Sequence, residues 1–370
     1  MMASRALLAC LVLALAVSGG ASSPAGLTLA SGLPSRLSDA EFWRIVEDFS
    51  EPNGFFRSDN LVSNEDTLQF VIPALVDVVK PGGVYVGVGP DQNFTFIAAV
   101  RPRLAFITDV RRGNLHLHLM YKVLFEQSAD RAEFLSRLFS RRRPPGLGPD
   151  STPEELFGAL ADVMPDREYF DRNVEEIRTW LTERHGFALS EADLAGITNV
   201  YGSFFAAGPL LRYSNTQSRW RSRYPSYQDL QLSDDGRGTN RSYMSNDAAF
   251  VSLKRLHERN LIVPVVGNFA GARALRSIAR YAEEHGAIVT TFYTSNVEQY
   301  LFQDGLWAEF AGNLAMLPVD GSSTLIRSCF NNCANGGYRS WMLLDSLPEL
   351  VSEAKAGRIG MYWDVLARSR

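Results

Sequence analysis

Cysteine and histidine are scarce in this sequence, and the motifs of several enzyme classes are missing from it. Of its 370 residues three are cysteines, namely Cys10, Cys329 and Cys333, and five are histidines. His116 and His118 are two residues apart on a predicted helix and therefore face different directions. The sequence contains no Gly-x-Ser-x-Gly elbow, His-Glu-x-x-His pair or Walker loop. These absences predict no metal site and argue against serine hydrolases, zinc proteases and P-loop proteins.

Neither sign of charge is in large excess. The formal net charge is −4 and 21% of the residues are charged, which is ordinary for a globular protein. Two basic clusters, Arg141–Arg143 and Arg219–Tyr224, are interpreted as solvated faces. The second alternates cations with aromatic rings and could instead select an acidic or aromatic substrate if it covers the strand ends. Without a wider basic field we expect no nucleic-acid partner.

The amino terminus has the pattern of a secretory signal peptide. Met1–Arg5 carries one positive charge, Ala6–Val17 is apolar, and the small residues that follow allow cleavage after Ala21. The apolar run is shorter than the roughly 20 residues that cross a bilayer, so no stable membrane anchor is expected. We predict an exported, periplasmic protein. The alternative is a cytoplasmic protein with an alanine-rich leader.

Export would leave Cys329 and Cys333 as the only thiols. In an oxidising compartment they could pair. The loop between them is so short that a bridge would constrain little of the unfolded chain and would mainly shape a turn. A disulfide and two buried thiols are both compatible with the sequence.

Hydrophobic patterns divide the chain into segments. A capping box, Ser38–Glu41, begins the first predicted helix. A long amphipathic helix is predicted from about Asn114 to Gln127, and another helix over Val297–Leu317. The predicted segments are a signal peptide (1–21), a linker with helices (22–80), a first alternation of strands and helices (81–139), a helical insertion (140–245), a second alternation (246–345) and a C-terminal segment (346–370).

Five apolar runs bounded by glycine and polar residues are predicted to be β-strands. Helical patterns separate them, an alternation typical of a parallel sheet covered on both faces. The predicted fold class is therefore α/β, a doubly wound, mostly parallel sheet with a helical insertion. The predicted strands are Val84–Gly89, Leu104–Asp109, Leu261–Val266, Ala287–Tyr293 and Ser323–Arg327.

A glycine-containing loop follows the first strand. Gly87 and Gly89 permit a tight turn, and the helix that follows offers free amides to an electron-rich group. Asp109 ends the next strand 20 residues after Gly89, where a carboxylate can accept hydrogen bonds from ribose hydroxyls. Gln92 replaces the third glycine of the dinucleotide fingerprint, and Asp91 places a carboxylate where a pyrophosphate would lie. A nucleoside without phosphates therefore fits better than NAD or FAD.

This layout of glycine loop, short helix and acidic strand end resembles the class I S-adenosylmethionine-dependent methyltransferases. The resemblance extends from about Gly82 to Arg327 and implies a methyltransferase-like Rossmann fold with S-adenosylmethionine as cofactor. It also implies that Asn268 or Asn296, after later strands, lies near the methyl acceptor. The implied cofactor-binding residues are Gly87, Gly89, Pro90, Asp91, Gln92, Asn93 and Asp109.

Three segments carry a closer resemblance, to a bacterial family of this methyltransferase-like fold to which no activity is assigned. They are Ser58–Glu65, Gly87–Phe94 and Ser295–Tyr300. The resemblance supports the fold and implies no activity. Ser58–Glu65 has four amide or acid side chains in eight residues, and we interpret it as a lid over the site, with a turn-rich connection as the alternative.

Structural roles are open for several of these residues. Asn93 and Asn296 could be helix N-caps, and Asp109 could pair with Arg111 or Arg112. Two hypotheses of function follow. The first is an S-adenosylmethionine-dependent methyltransferase. The second is an exported, non-catalytic binding protein that uses the same strand-end pocket for another small polar ligand, because cytosolic cofactors are not expected outside the membrane.

Overall fold

A computed structural model describes residues 32–213, 224–330, 333 and 338–369. The predicted signal peptide, Cys10 and all of the Arg219–Tyr224 cluster except Tyr224 lie outside the described residues. Within the described part, no helix is both long enough and apolar enough to cross a membrane.

A single six-stranded sheet organises the described residues. Its strand order is β3-β2-β1-β4-β5-β6, and all neighbours are parallel except β5 and β6, which are antiparallel. This confirms the predicted α/β fold with a mostly parallel sheet, and the order is compatible with a Rossmann-like fold. The strands are β1 Val84–Gly87, β2 Leu104–Asp109, β3 Ile262–Val266, β4 Val289–Ser295, β5 Thr324–Phe330 and β6 Ser340–Ser346.

The complete burial of β1, β2 and β3 accounts for their sequence pattern. Every residue of β1, β2 and β3 is buried, so these strands are continuous apolar runs rather than alternating ones. Pro264 lies in the middle of β3, which forms one edge of the sheet. An edge strand tolerates the missing N–H of proline.

Helices account for most of the remaining described chain. A π-helical turn, Trp180–Arg184, extends α7, and a 3₁₀ turn, Gly208–Leu210, follows α8. The α-helices are α1 Asp39–Phe49, α2 Ile72–Val78, α3 Gln92–Val100, α4 Arg112–Gln127, α5 Arg131–Phe139, α6 Pro153–Ala161, α7 Arg167–Thr179, α8 Glu191–Ala207, α9 Tyr227–Leu232, α10 Asp247–Glu258, α11 Ala274–Glu284, α12 Val297–Gln303, α13 Trp307–Leu314, α14 Leu347–Lys355 and α15 Tyr362–Ala367.

Helix α4 attaches the helical part of the chain to the sheet. It contacts β2 and β3 and also α5, α8 and α10. All residues from Asn114 to Phe125 are consequently buried, and the prediction of an amphipathic helix is wrong in this respect. Lys122 is buried with them because its ammonium donates to Glu126 Oε1 at 2.6 Å and to the His257 carbonyl at 2.7 Å.

Two predictions about helices, the capping box of α1 and the helix over Val297–Leu317, have opposite outcomes. The capping box of α1 is confirmed, since Ser38 Oγ accepts from the Glu41 N–H and Glu41 Oε2 accepts from the Ser38 N–H. The single helix predicted over Val297–Leu317 is wrong. The chain breaks it into α12 and α13 at Gly305, whose φ of +71° belongs to the left-handed region that glycine favours.

The carboxyl-terminal part of the sheet was only partly predicted. Strand β6 was missed, and β5 extends to Phe330 beyond the predicted end at Arg327. Cys329 and Cys333 form a disulfide with their Cα atoms 5.6 Å apart.

The segment between α1 and the first strand crosses the carboxyl ends of β2 and β3. The backbone N–H of Glu51 donates to Val266 at 2.7 Å, and that of Gly54 donates to Val110 at 2.7 Å. The Glu51 carboxylate accepts backbone N–H groups of Asn268, Arg273 and Ala274 at 2.9–3.1 Å. Residues 51–54 therefore strap this end of the sheet and satisfy the free amides at the start of α11.

A buried ion cluster ties the other half of the sheet together. The guanidinium of Arg327 on β5 donates to Glu298 on α12 at 2.7 and 3.1 Å and to Asp345 on β6 at 3.0 Å. The three side chains are at most 2% exposed. Asp345 also accepts from Arg368 Nε at 2.7 Å. Because the carboxylates are removed from water, Arg327 compensates the charge of Glu298 and shares that of Asp345 with Arg368.

Replacing Arg327 with leucine is expected to lower the free energy of unfolding by about 3–5 kcal/mol, because the buried Glu298 carboxylate would lose its arginine partner and Asp345 would keep only Arg368. Urea unfolding followed by circular dichroism measures this. Arg44→Leu is the matched control, since Arg44 pairs with Asp48 at the surface and its loss should change the free energy by less than about 1 kcal/mol. Equal effects of the two substitutions would contradict the role assigned to Arg327.

Candidate functional site

A cleft lies at the carboxyl ends of the parallel strands. It contains about 1050 Å³ of empty space, including the part that opens to solvent. Residues that follow β1, β2, β3 and β4 all contribute to it, so the cleft spans the point between β1 and β4 where the strand order reverses. Ligands of open α/β sheets bind at this position. Its principal polar lining residues are Asn60, Ser63, Asn64, Gln92, Thr108, Asp109, Asn268, Ser295, Asn296 and Asp304.

Asn93 shapes the glycine loop beside the cleft. Its Nδ2 donates to the carbonyls of Val88, Gly89 and Pro90 at 2.9, 3.2 and 2.7 Å, and its Oδ1 accepts from Tyr85 Oη at 2.8 Å. The side chain is fully buried under the loop. Asn93 therefore organises the loop from behind and does not line the cleft.

The two glycines of the loop have different reasons for being glycine. Gly89 lines the cleft and has a φ of +82°, a conformation that other residues seldom adopt. Gly87 does not line the cleft. A Cβ there would lie 1.9 Å from Asn93 Oδ1, so Gly87 leaves room for the asparagine that shapes the loop. Pro90 and Gln92 line the cleft as well.

Asp91 points away from the cleft, towards the helical part of the chain. Its Oδ2 accepts from Tyr243 Oη at 3.0 Å and from Gln231 Nε2 at 3.2 Å. Its exposed fraction is 1%, and this burial raises the pKa of Asp91 to about 7. The residue is at the N-cap position of α3, but its side chain does not cap the helix.

Asp109 lies in the cleft wall and is paired with Arg111. Its Oδ1 accepts from the Arg111 N–H at 2.9 Å and from Arg111 Nε at 3.1 Å, and its Oδ2 accepts from Arg111 Nη2 at 3.0 Å. This bidentate pairing holds the carboxylate in one orientation. The structure thus places the acidic strand end in the cleft together with Gly89, and it also forms the ion pair that the sequence left open.

Asn268 and Asn296 both line the cleft, but their side chains differ in availability. Asn268 Oδ1 accepts from the Ala270 N–H at 2.9 Å, which is an Asx turn that occupies the amide oxygen. Asn296 precedes α12, yet its side chain does not cap the helix. Of the two, Asn296 has the amide that is free to meet a ligand.

A buried carboxylate, Glu65, lies behind the cleft wall. Ser295 Oγ donates to its Oε1 and Tyr293 Oη to its Oε2, each at 2.5 Å. Burial raises the pKa of Glu65, and the hydrogen bonds from Ser295 and Tyr293 lower it. Ser295 has a φ of +52°, and the pairing of β4 with β5 shifts register between Tyr293 and Ser295. Such a bulge reorients a side chain at the end of a strand.

Unpartnered polar atoms are present in the cleft wall. Asn60 Oδ1, Gln92 Oε1 and Thr108 Oγ1 are buried and have no hydrogen-bond partner in the described part of the chain. Thr108 is 1% exposed and Gln92 is 6% exposed. A buried polar atom without a partner is costly, so these atoms are suited to meet polar groups of a ligand.

The mouth of the cleft is aromatic and carries no positive lining group. Phe55, Phe56, Tyr213 and Tyr300 contribute to it, and Phe55 is 88% exposed. No lysine, arginine or histidine occurs among the described residues that line the cleft. Within the described residues, no group of three or more metal-ligating side chains is arranged to hold an ion.

Some lining residues were not singled out from the sequence. Thr108 directly precedes Asp109, so its place at a strand end was a usable signal. Phe55 and Phe56 follow the predicted turn at Gly54, and nothing local indicates that residues 51–54 carry them to the sheet. Glu65 was noted only as part of Ser58–Glu65, a segment whose Asn60, Val62, Ser63 and Asn64 line the cleft.

The first basic cluster is occupied by internal partners. Arg142 pairs with Asp166 at 2.6 Å and Arg143 with Asp130 at 2.8 Å, while Arg141 donates to the carbonyl of Leu160 at 3.1 Å. These contacts connect segments of the helical part of the chain.

Most of the chain matches one protein family. Residues 60–144 and 166–341 match the family described as domain of unknown function DUF7790. The chain belongs to the DUF7790 family. The DUF7790 match includes the glycine loop, Asp109, Asn268 and Asn296, and the gap in it contains α6. Phe55 and Phe56 precede the DUF7790 match. No curated protein matches the chain.

Asp91→Asn is expected to remove a pH dependence of stability. The pKa of Asp91 is about 7 in the folded protein and 3.8 in the absence of its surroundings. The folded state therefore holds the proton more tightly, and this group makes the wild-type protein less stable as the pH rises from about 4 to about 7. Asparagine keeps an acceptor for Tyr243 and Gln231 and carries no charge. The variant should exceed the free energy of unfolding of the wild type by about 1 kcal/mol at pH 4.5 and by up to about 4 kcal/mol at pH 8.

Urea unfolding at the two pH values measures this difference. Asp48→Asn, at the surface, is the control and should shift stability by less than about 1 kcal/mol at both. If Asp91→Asn changed the free energy of unfolding by the same amount at pH 4.5 and at pH 8, the pKa of this carboxyl group would not differ between the folded and unfolded states.

Proposed function

We propose that this chain is an S-adenosylmethionine-dependent methyltransferase with a doubly wound, methyltransferase-like Rossmann sheet, and that the strand-end cleft binds the cofactor. One observation carries the proposal. Gly89, in the loop after β1, and Asp109, at the end of β2, line the same cleft at the reversal of strand order. A nucleoside held there has backbone on one side and a carboxylate within reach of its ribose.

The chemistry of the cleft wall fits such a ligand. The absence of cationic groups among its described lining residues disfavours phosphate-bearing cofactors, which are commonly held by arginine and lysine. The unpartnered atoms of Gln92 and Thr108 are available to the polar edges of a nucleoside or an amino acid.

Each residue would have a definite task. Asp109, oriented by Arg111, would accept hydrogen bonds from ribose hydroxyls through Oδ2, which has a lone pair to spare. Gly89 would allow close approach of the ligand to the loop backbone. When bound, the cofactor supplies a methyl group: the acceptor's lone pair bonds to the methyl carbon, the methyl–sulfur electron pair stays on a neutral thioether, and the acceptor loses a proton. Asn296 would orient the acceptor by accepting its hydrogen atoms.

A binding protein without chemistry is the second candidate. The observation in its favour is Asn268, whose amide oxygen has one of its two lone pairs committed to an Asx turn and keeps only the other for an acceptor amine. On this hypothesis the same cleft holds a small polar ligand, and Asn296 contributes only to its binding.

Calorimetric titration of the full chain with S-adenosylmethionine and S-adenosylhomocysteine tests cofactor binding. We expect a Kd of about 1–100 μM, or about −5 to −8 kcal/mol. Asp109→Asn should weaken binding at least tenfold, because each lost charged hydrogen bond is worth about 1.5–3 kcal/mol. Asp48→Asn, which removes one carboxylate at the surface outside the cleft, is the control and should change the Kd less than about threefold. A titration without heat, together with an unchanged Tm, would contradict the proposal.

Product formation separates the two candidates. Incubation with methyl-labelled S-adenosylmethionine and a pool of small amines should yield labelled product and S-adenosylhomocysteine, at a rate reduced at least tenfold in Asn296→Ala. Binding of the cofactor without any product would support the binding protein instead.

A further inference from the structure

The side-chain amide of Gln92 is held in one orientation by the residues behind it. Gln92 Nε2 donates to Tyr293 Oη at 3.1 Å, and Tyr293 Oη donates to Glu65 Oε2 at 2.5 Å. A phenol carries a single proton. In the structure that proton goes to Glu65, so Tyr293 accepts from Gln92, and the nitrogen of the amide faces the tyrosine.

Glu65 is built into the fold as an acceptor. It is fully buried, and each carboxylate oxygen faces one hydroxyl group, Tyr293 on one side and Ser295 on the other. The backbone N–H of Glu65 donates to Ser63 Oγ at 3.2 Å, which fixes the turn that delivers the side chain. Both hydroxyl protons are thereby drawn towards Glu65 and away from the cleft.

As a result, Gln92 presents a hydrogen-bond acceptor at the cleft wall. With its nitrogen turned to Tyr293, Gln92 leaves Oε1 without a partner among the described residues, although the side chain is 94% buried. Asn60 Oδ1 and Thr108 Oγ1, in the same wall, are also unpartnered. An amide oxygen can only accept, so a ligand group opposite Gln92 must bring the hydrogen.

We infer that Glu65 and Tyr293 are positioning residues that hold Gln92 as a hydrogen-bond acceptor, and that the ligand presents an N–H or O–H group to Gln92 Oε1. The inference rests on the proposed function for the identity of the ligand. In an adenosyl ligand the donors are the exocyclic amine of adenine, the ribose hydroxyls and the α-ammonium group. A ligand group that can only accept is rejected at this place, because two acceptors would face each other.

Donor-deletion analogues of S-adenosylhomocysteine test the inference. Each analogue lacks one donor: hydrogen replaces the adenine amine, one ribose hydroxyl or the α-amino group. Their Kd values are measured by calorimetry with the wild type, Gln92→Met, Tyr293→Phe and Tyr201→Phe. The last is a matched control, since Tyr201 is a buried, hydrogen-bonded tyrosine in the helical part of the chain.

The analogue that lacks the donor opposite Gln92 is expected to bind the wild type and Tyr201→Phe about tenfold more weakly than the parent compound. For Gln92→Met and Tyr293→Phe the same deletion should change the Kd less than about threefold, because the oriented acceptor is already gone. A purely structural role of Tyr293 would instead weaken all compounds equally. If every deletion has the same effect in all four proteins, the inference is overturned.

A measurement on the free protein keeps this result separate from cofactor binding. In the nuclear magnetic resonance spectrum of the wild type, the Gln92 Nε2 protons should show a nuclear Overhauser effect to the ring protons of Tyr293. Failure of every adenosyl compound to bind would contradict the proposed function alone. Absence of this Overhauser effect would contradict the orientation of Gln92, and with it the inference, whether or not a cofactor binds.

Discussion

The four hydrogen bonds of the Asn93 side chain are the constraint on which the site depends. One short side chain collects three successive loop carbonyls and one tyrosine hydroxyl, so the loop after β1 has a single shape. That shape requires Gly87 beneath it and a left-handed Gly89 above it. It is supported from α4, where the neutral His118 ring contacts the Gly89 carbonyl at 2.9 Å through Nε2. Burial lowers the pKa of His118 to about 4, which keeps this support uncharged across the physiological range.

The loop also joins the two halves of the molecule. Its cleft side carries Gln92 and its opposite side carries Asp91, one residue earlier, which bonds to Gln231 and Tyr243. Phe94, two residues after Gln92, is enclosed by rings of α4 and of the turn before α10, with His118, Tyr121 and Tyr243 at 5.3–5.5 Å in edge-to-face geometry. The consecutive residues Gln92, Asn93 and Phe94 thus face the cleft, the loop and the helical core, respectively. A change in the helical part therefore acts directly on the residue next to the ligand.

Local signals in the sequence predicted the framework well. The apolar runs of β1 to β5, the glycine turn, the capping box of α1 and the acid at the end of β2 are each encoded within a few residues. Strand β6 was not predicted because its buried and half-buried residues alternate irregularly at the edge of the sheet. The break between α12 and α13 depends on one glycine in an otherwise helical pattern.

The roles of individual polar residues were harder to predict, because they depend on partners that are distant in the chain. Glu65 meets Tyr293 from 228 residues away, and Asp91 meets Tyr243 from 152. Glu298 is an acid in the first turn of α12, yet it pairs with the buried Arg327 on β5. Asp109 is the counterexample: its partner Arg111 is two residues away, and the pairing was among the sequence-based alternatives. The role of a polar residue could be predicted where its partner is close in the sequence. It was missed where the partner is brought close only by the tertiary structure.

Residues 51–54 have a consequence for the order in which the molecule can be assembled. Glu51 caps a turn that begins 217 residues later, at Asn268. At synthesis rates of about 5–20 residues per second, roughly 10–40 s pass between the emergence of the two partners from the ribosome. During that interval the carboxylate does not have the amides that it binds in the folded protein, and the end of β3 has not yet been synthesised. One wall of the cleft is therefore among the first parts of the chain to be made and among the last to be set in place.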